Sequence, residues 1–347
     1  MRSGSVLKPV FIESARSYLP SSFERTAEAV ANGTVLGATA ARSGVAQLPV
    51  EHDLSAPEMA VQAAKSALLD SAVSADELEA IFYASTFFQG ATFWSPAHFI
   101  AEAIGAKHAT PIGLMTMCNG AGTALDLAQR HLATSRPGTR VLVSTADRFP
   151  SAAFDRWEGD YGVMYGDGAT AAILSNIDTA SNRPTRKLLA TETQSLSELE
   201  SMHRPQGRLA GSPLSEPQRH LVKPHKKAYL ESHGRDALTI GFSRALRALV
   251  PRVHEAIGVP QGDARIRRVF VPRVGADTID ASYRPVLENE LGFEVHHLVS
   301  ETGHLGAGDT IANLAEPESL GDPGEITLFL SAGAGFTLTI AAVEALQ

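Results

Sequence analysis

Two hydrophobic patterns alternate along the chain. Leu78–Ser85, Arg140–Thr145, Thr170–Leu174, Arg268–Val274 and Ile326–Ser331 are short runs rich in apolar and β-branched residues, and they read as buried strands. Between them lie stretches with helical spacing. In Pro57–Asp70, the residues Met59, Val61, Ala64, Leu68 and Leu69 share one face, and Asp53 or Ser55 is placed to cap the start. Gly120–Ala133 and Phe242–Ile257 repeat this spacing. Strands alternating with helices predict an α/β protein whose helices cover a mostly buried sheet.

The signals come twice. A strand at 78–85, a glycine-flanked helix after residue 118, a strand at 140–145 and a Gly-Asp-Gly turn into 169–175 fill the first half. The second half has a strand at 268–274, a glycine-rich segment at 303–308 leading into a helical stretch, and two strands joined at Gly333–Gly335. This order predicts an internal duplication with its seam near residues 178–185, hence halves of 1–180 and 181–347. Residues 196–235 are richer in Pro, His, Ser and charge and show no period, so they read as a long surface excursion and a candidate lid.

Composition narrows the function classes. With 44% hydrophobic residues, disorder along most of the 347-residue chain is excluded. Thirty basic against 38 acidic residues leave a net charge of −8, which speaks against bulk nucleic-acid or anionic-membrane binding. No apolar run approaches the roughly 18 residues needed to span a bilayer. The first twenty residues lack a long apolar core and a small-residue cleavage site, so a cytoplasmic protein is expected. A single cysteine excludes an internal disulfide and a cysteine-based metal site. The pair His296-His297 has no nearby ligand set, and no Walker A loop or G-x-G-x-x-G follows a strand, so neither a metal nor a nucleotide cofactor is expected.

Cys118 is either a buried filler or a nucleophile. It stands directly before Asn119-Gly120-Ala121-Gly122 and an amphipathic helix. Small residues there let a ligand approach closely. In general, a thiol at a helix N-terminus meets the positive end of the helix dipole, which favours thiolate, and backbone N–H groups there can receive an oxyanion. The flanking sequence favours the nucleophile.

Four segments carry a resemblance: Cys118 in its C-x-G-x-G turn, V-L-V-S-T-A-D at 141–147, G-D-G-A-T at 166–170 and the closing G-A-G-F at 333–336. With them the chain resembles the thiolase-fold condensing enzymes, in particular ketoacyl-ACP synthase III. The resemblance implies a five-layered αβαβα fold of two duplicated halves and a homodimer formed through the first half. It also implies an acyl group taken onto Cys118 from an acyl carrier protein or coenzyme A thioester. Backbone N–H groups of Cys118 and the closing glycine loop hold the oxyanion, with Gly335 as the expected second donor and Phe336 as its alternative. Asp167 is expected to hold its own turn through its side chain.

Two positions depart from the family. Decarboxylating members carry a His in a His-Gln-Ala-Asn stretch and an Asn in a Gly-Asn-Thr turn. Here Arg273 in VFVPRVGAD stands at the first and His304 in ETGHLGAGDT at the second. An always-charged guanidinium does not exchange roles with a neutral imidazole. What remains is Cys118, His304 and Asp309, a set suited to acyl transfer, although Asp309 can also be read as a helix cap. This resembles the synthase III-like proteins of antibiotic pathways that have lost condensation and transfer an acyl group to a hydroxyl, an amine or another carrier.

The expected function is therefore acyl transfer through acyl-Cys118 to a small-molecule acceptor, such as a sugar or natural-product hydroxyl or amine. Two alternatives stand beside it. One is a decarboxylating synthase with an altered second site; the other is a non-catalytic partner subunit, which the retained Cys118 argues against. Arg273 is a candidate partner for a carboxylate on the acyl group or carrier. Phe88 and Trp94, in the aromatic segment 85–99, are candidates for the acyl-pocket wall or the dimer interface. The basic run 264–268, with Arg244, Arg247 and Arg252, is a candidate docking face for an acidic carrier or coenzyme A phosphates.

Overall fold

The computed structural model describes residues 8–177, 186–207, 209–212, 219–234 and 236–346. The first half contributes β1 (Val10–Tyr18), β2 (Leu78–Ala84), β3 (Thr110–Leu114), β4 (Arg140–Asp147) and β5 (Gly168–Ser175). The second contributes β6 (Arg186–Ser195), β7 (Arg268–Phe270), β8 (Glu294–His296), β9 (Ile326–Gly333) and β10 (Thr337–Ala345). Their spatial order is β8-β7-β9-β10-β6-β1-β5-β4-β2-β3.

Read outward from the centre, the two halves are the same design. In each, the first strand pairs antiparallel with the fifth, and the fifth antiparallel with the fourth. The fourth then pairs parallel with the second, and the second parallel with the third. The halves join where Val10–Ile12 of β1 run antiparallel to Arg186–Leu188 of β6.

Two helices fill the space between the half-sheets: α3 (Gly120–Thr134) and α7 (Asp309–Ala315). Their apolar faces, including Ala121, Leu125, Leu132, Ile311 and Leu314, share one core with Phe82, Val141 and Leu174 of the first half and Phe270, Phe329 and Val343 of the second. Outer layers are α1 (Ala56–Ser71) and α2 (Pro96–Ile104) on the first half, and α5 (Ala237–Ile257) with α6 (Ala276–Ser282) on the second. The result is five αβαβα layers. Residues in β4 and β5 are buried on both faces, which is why those segments read as mostly apolar runs without alternation.

At the start of α1, the Glu58 carboxylate accepts the Ser55 N–H at 2.7 Å, so Ser55, not Asp53, marks the cap. The strand expected over Arg268–Val274 ends at Phe270. Beyond it, Pro272 has no N–H, and the Arg273 N–H donates to the Asp309 carboxylate instead of to a ladder.

The expected seam at 178–185 lies outside the described residues, as do residues 208, 213–218 and 235 of the excursion. The excursion is not wholly superficial. Leu199 and Met202, together with Tyr229 on α4 (Lys223–His233), are buried in the core of the second half. Among the described residues, no helix is long and apolar enough to cross a membrane.

Candidate active site

The Cys118 turn sits where the halves meet. Met117 has a left-handed φ of +51°, uncommon for a residue with a side chain, and Met117–Asn119 form a single tight turn into α3. The glycines that follow are required by packing. A Cβ at Gly120 falls 2.6 Å from the Ala84 Cβ and 2.8 Å from the Ala307 Cβ, closer than atoms can pack. Asn119 is buried and donates to Thr339 Oγ1 at 3.0 Å, tying the turn to β10. Cys118 itself is partly exposed.

His304 comes from the other half, in the glycine-rich turn before α7. Its N–H donates to Met164 O (2.8 Å), and its C=O accepts the Gly166 N–H (3.0 Å), so the backbone is pinned to the first half. Its Nδ1 lies 2.6 Å from Asp309 Oδ2. Asp309 is the first helical residue, yet its side chain faces back. Oδ1 accepts the Leu305 N–H (2.8 Å), and Oδ2 also accepts the Arg273 N–H (2.7 Å). Asp309 therefore orients His304 and does not cap α7.

With Nδ1 committed, Nε2 is the nitrogen left for Cys118, whose charge acts on the His304 ring. Burial opposes the imidazolium, but the negative charges of Asp309 and Cys118 outweigh it and hold His304 well above its ordinary value. Burial likewise pushes Asp309 up, and the His304 charge, the Leu305 N–H and Arg273 together bring it below the usual carboxylate range. The three side chains form a connected Cys–His–Asp array.

Cys118 and His304 open into a cavity of about 680 Å³, lined on its apolar side by Met202, Leu238, Phe242, Val274 and Phe336 among others. Lys223 and Lys227 also line it.

Several expected site residues lie elsewhere. Arg273 is 2% exposed and does not line the cavity; its guanidinium donates to Asn313 Oδ1 (2.8 Å), Thr302 Oγ1 (3.0 Å) and Glu316 Oε1 (2.9 Å). It has no donor directed at a substrate carboxylate and instead braces the segment behind Asp309. Phe88 and Trp94, 58% and 45% exposed, also stand off the cavity, so they are not its acyl wall.

Gly335 is not on the cavity wall either. The closing loop approaches the Cys118 turn at Gly333, where a Cβ would lie 2.3 Å from the Asn119 nitrogen, whereas Gly335 has open space around it. Ala334 lines the cavity beside Cys118, and the Phe336 N–H is taken by Leu196 O at 3.0 Å. Five of the six basic candidates are ion-paired, Arg244 with Glu198, Arg247 with Glu290, Arg252 with Glu192, Arg265 with Asp263 and Arg268 with Glu325, which leaves Arg267.

Asp167 is fully buried and accepts N–H groups from Glu51 (2.9 Å) and Phe149 (2.8 Å) and from the Arg156 guanidinium (3.2 Å), so its side chain ties the turn to distant segments instead of closing the turn on itself as expected. His297 Nε2 contacts Val274 O at 2.6 Å, and His296 stacks on Phe270. No group of three or more metal-type side chains occurs among the described residues.

Sequence reasoning missed a polar wall of the same cavity. Tyr165 packs edge-on to His304 (5.2 Å) and donates to Asp160 Oδ2 at 2.9 Å. Asp160 pairs with Lys226 Nζ at 2.5 Å, and His203 lies close enough to feel both charges. Tyr165 directly precedes the Gly-Asp-Gly turn and was within reach of inspection. Lys226 and His203 fall in the stretch without a period.

The sequence model of the 3-oxoacyl-[acyl-carrier-protein] synthase III family matches residues 113–195. The β-ketoacyl-ACP synthase III 1 of Bacillus cereus is 34% identical over 139 residues, 39% of this chain and 43% of that protein. The synthase III of a Jannaschia species is 33% identical over 138 residues, 40% of this chain and 41% of that one. The chain thus matches about two fifths of the length of these curated relatives. In three dimensions the whole chain is matched. A solved structure described as the acyltransferase ChlB3 superposes with a TM-score of 0.87 at 25% identity, covering 98% of each chain. The synthase III of Aquifex aeolicus gives a TM-score of 0.74 at 20% identity over 96% of this chain and 99% of that one.

The fold is the thiolase fold. Residues 113–195, which carry the Cys118 turn, are similar to the ketoacyl-ACP synthase III family.

Proposed function

We propose that this protein is an acyltransferase that moves an acyl group from a carrier-protein or coenzyme A thioester through acyl-Cys118 to a hydroxyl, amine or carrier thiol in secondary metabolism. The observation that carries this reading is the Cys118–His304–Asp309 array, with His304 Nδ1 held 2.6 Å from Asp309. The likeness to the acyltransferase ChlB3 supports it.

In the first half-reaction the Cys118 sulfur attacks the thioester carbonyl. The oxyanion rests on the backbone N–H groups of Cys118 and Ala334. The donor C–S bond then breaks, and the leaving thiolate takes the proton from His304. Acylation also removes the Cys118 charge, one of the influences that hold the proton on His304. The imidazole is thereby released to act as a base. In the second half-reaction it takes the acceptor's proton as the acceptor attacks, the Cys118–acyl bond breaks, and the starting charges return.

The curated relatives are named synthases, and one feature of this chain speaks against a condensing reaction. The guanidinium at the position of the family His is turned into the protein, so it offers no donor to an enolate. A homodimer through the first half fits the exposed Phe88, Phe93, Trp94 and Met115 on that half. The test is intact-mass analysis after incubation with acyl-coenzyme A and acyl-carrier donors, followed by an acceptor screen. One acyl adduct is expected, absent in Cys118→Ala; an adduct that persists in the variant overturns the reading.

A further inference from the structure

The polar wall of the cavity is unusual for what it leaves unused. Its surroundings are apolar, with Met202, Phe242 and Phe336 beside it. The His203 Nε2 is buried and has no hydrogen-bond partner among the described residues. The ring is fixed by edge-on packing against Phe336 at 5.3 Å. Burial, with the nearby Lys226 charge, pushes His203 down to about 3 despite Asp160, so it stands neutral at ordinary pH, with one N–H and one lone pair to offer. The Lys226 side chain is only 10% exposed, and its ammonium carries more N–H donors than its contact with Asp160 uses.

Buried polar groups without partners are costly and rare, so each calls for a reason. A buried ion pair is weak evidence of stability, because desolvation offsets the attraction. Both lie on the wall of the cavity that holds Cys118. Tyr165 connects the two sites, touching His304 with its ring and Asp160 with its hydroxyl.

We infer that His203 and Lys226 form a recognition subsite for an oxygen-bearing substituent, a hydroxyl or carbonyl, on the acyl group carried by Cys118. This rests on the acyl-cysteine reading above. The subsite favours hydroxylated or otherwise oxygenated acyl groups over plain alkyl or aryl ones. A plain acyl group leaves the polar groups buried and unpaired, and sites built to hydrogen-bond a hydroxyl reject analogues that lack it.

The test measures loading alone, without acceptor. Rates of Cys118 adduct formation are compared within two pairs of donors: butyryl- with 3-hydroxybutyryl-coenzyme A, and benzoyl- with 4-hydroxybenzoyl-coenzyme A. The full chain is expected to load the oxygenated member of at least one pair about tenfold or more faster. His203→Phe is expected to erase that preference, with a thermal midpoint unchanged or raised. His203→Gln, which keeps a side-chain amide, is expected to retain part of the preference. Should His203→Phe unfold, competition of 4-hydroxybenzoate and benzoate against loading of the unaltered chain reads the same preference. Equal rates within both pairs, or a preference untouched by His203→Phe, overturn the subsite and leave acyl-Cys118 standing. Failure of every acyl group to load Cys118, offered both as the coenzyme A and as the carrier-protein thioester, removes the underlying reading and the subsite with it.

Discussion

At the scale of single residues, the two half-reactions proposed above ask different things of one imidazole. Loading needs a nucleophilic sulfur, which the start of α3 helps to supply even without His304. Transfer to a hydroxyl needs a base in contact, typically worth about 10²–10⁴ in rate. His304→Ala is therefore expected to slow adduct decay to acceptor by that factor and adduct formation by less, so that acyl-Cys118 accumulates. Asp309→Asn is expected to show a milder form of the same imbalance, since the base remains but loses its orientation. Single-turnover measurements of formation and decay check both, and unchanged decay in His304→Ala removes His304 from the mechanism. Arg273 belongs at this scale too. Its three side-chain hydrogen bonds are internal, so Arg273→Leu is expected to cost roughly 3 kcal/mol or more of stability, read by denaturant unfolding. A stable Arg273→Leu with altered donor selectivity would instead return Arg273 to substrate binding.

At the scale of elements, the turn into α3 has no room to grow. Gly120→Ala places its methyl against Ala84 and Ala307, and about 1–3 kcal/mol of stability is expected to be lost together with loading activity. A thermal midpoint equal to the unaltered chain's contradicts this. The elements most legible in the sequence were those whose cause is local. β4 and β5 are rich in apolar and small residues because both faces are buried, and α1 announces itself through Ser55, Glu58 and its spacing. β1 and β6 were not read, because polar residues such as Glu13, Arg16, Glu192 and Gln194 interrupt their apolar pattern. His304 and Asp309 stood out through the likeness of their turn to a known one. The inward turn of Arg273 and the nearness of His203 to Lys226 depend on contacts between distant segments, and no local pattern encodes them.

At the scale of the whole molecule, the site exists because two halves of one design close on each other. Cys118 comes from one and His304 from the other, and Asp147 helps to fasten them. Burial pushes Asp147 up to about 6 against the N–H groups of Ala307, Phe87 and Thr86. A raised carboxyl contributes stability that is fully present below its unfolded value and lost as pH rises through its folded one. Relative to Asp147→Asn, the unaltered chain is thus expected to lose on the order of 2–3 kcal/mol between pH 4 and pH 7, read from unfolding at each pH. A difference that stays constant with pH contradicts this. The most direct test of non-condensing transfer uses preloaded acyl-Cys118 offered a malonyl thioester in one reaction and a hydroxyl or amine acceptor in another. The predicted result is an acyl ester or amide from the second, with neither CO₂ nor a β-keto product from the first. Stoichiometric CO₂ with a β-keto thioester would contradict it and restore carbon–carbon bond formation as the activity.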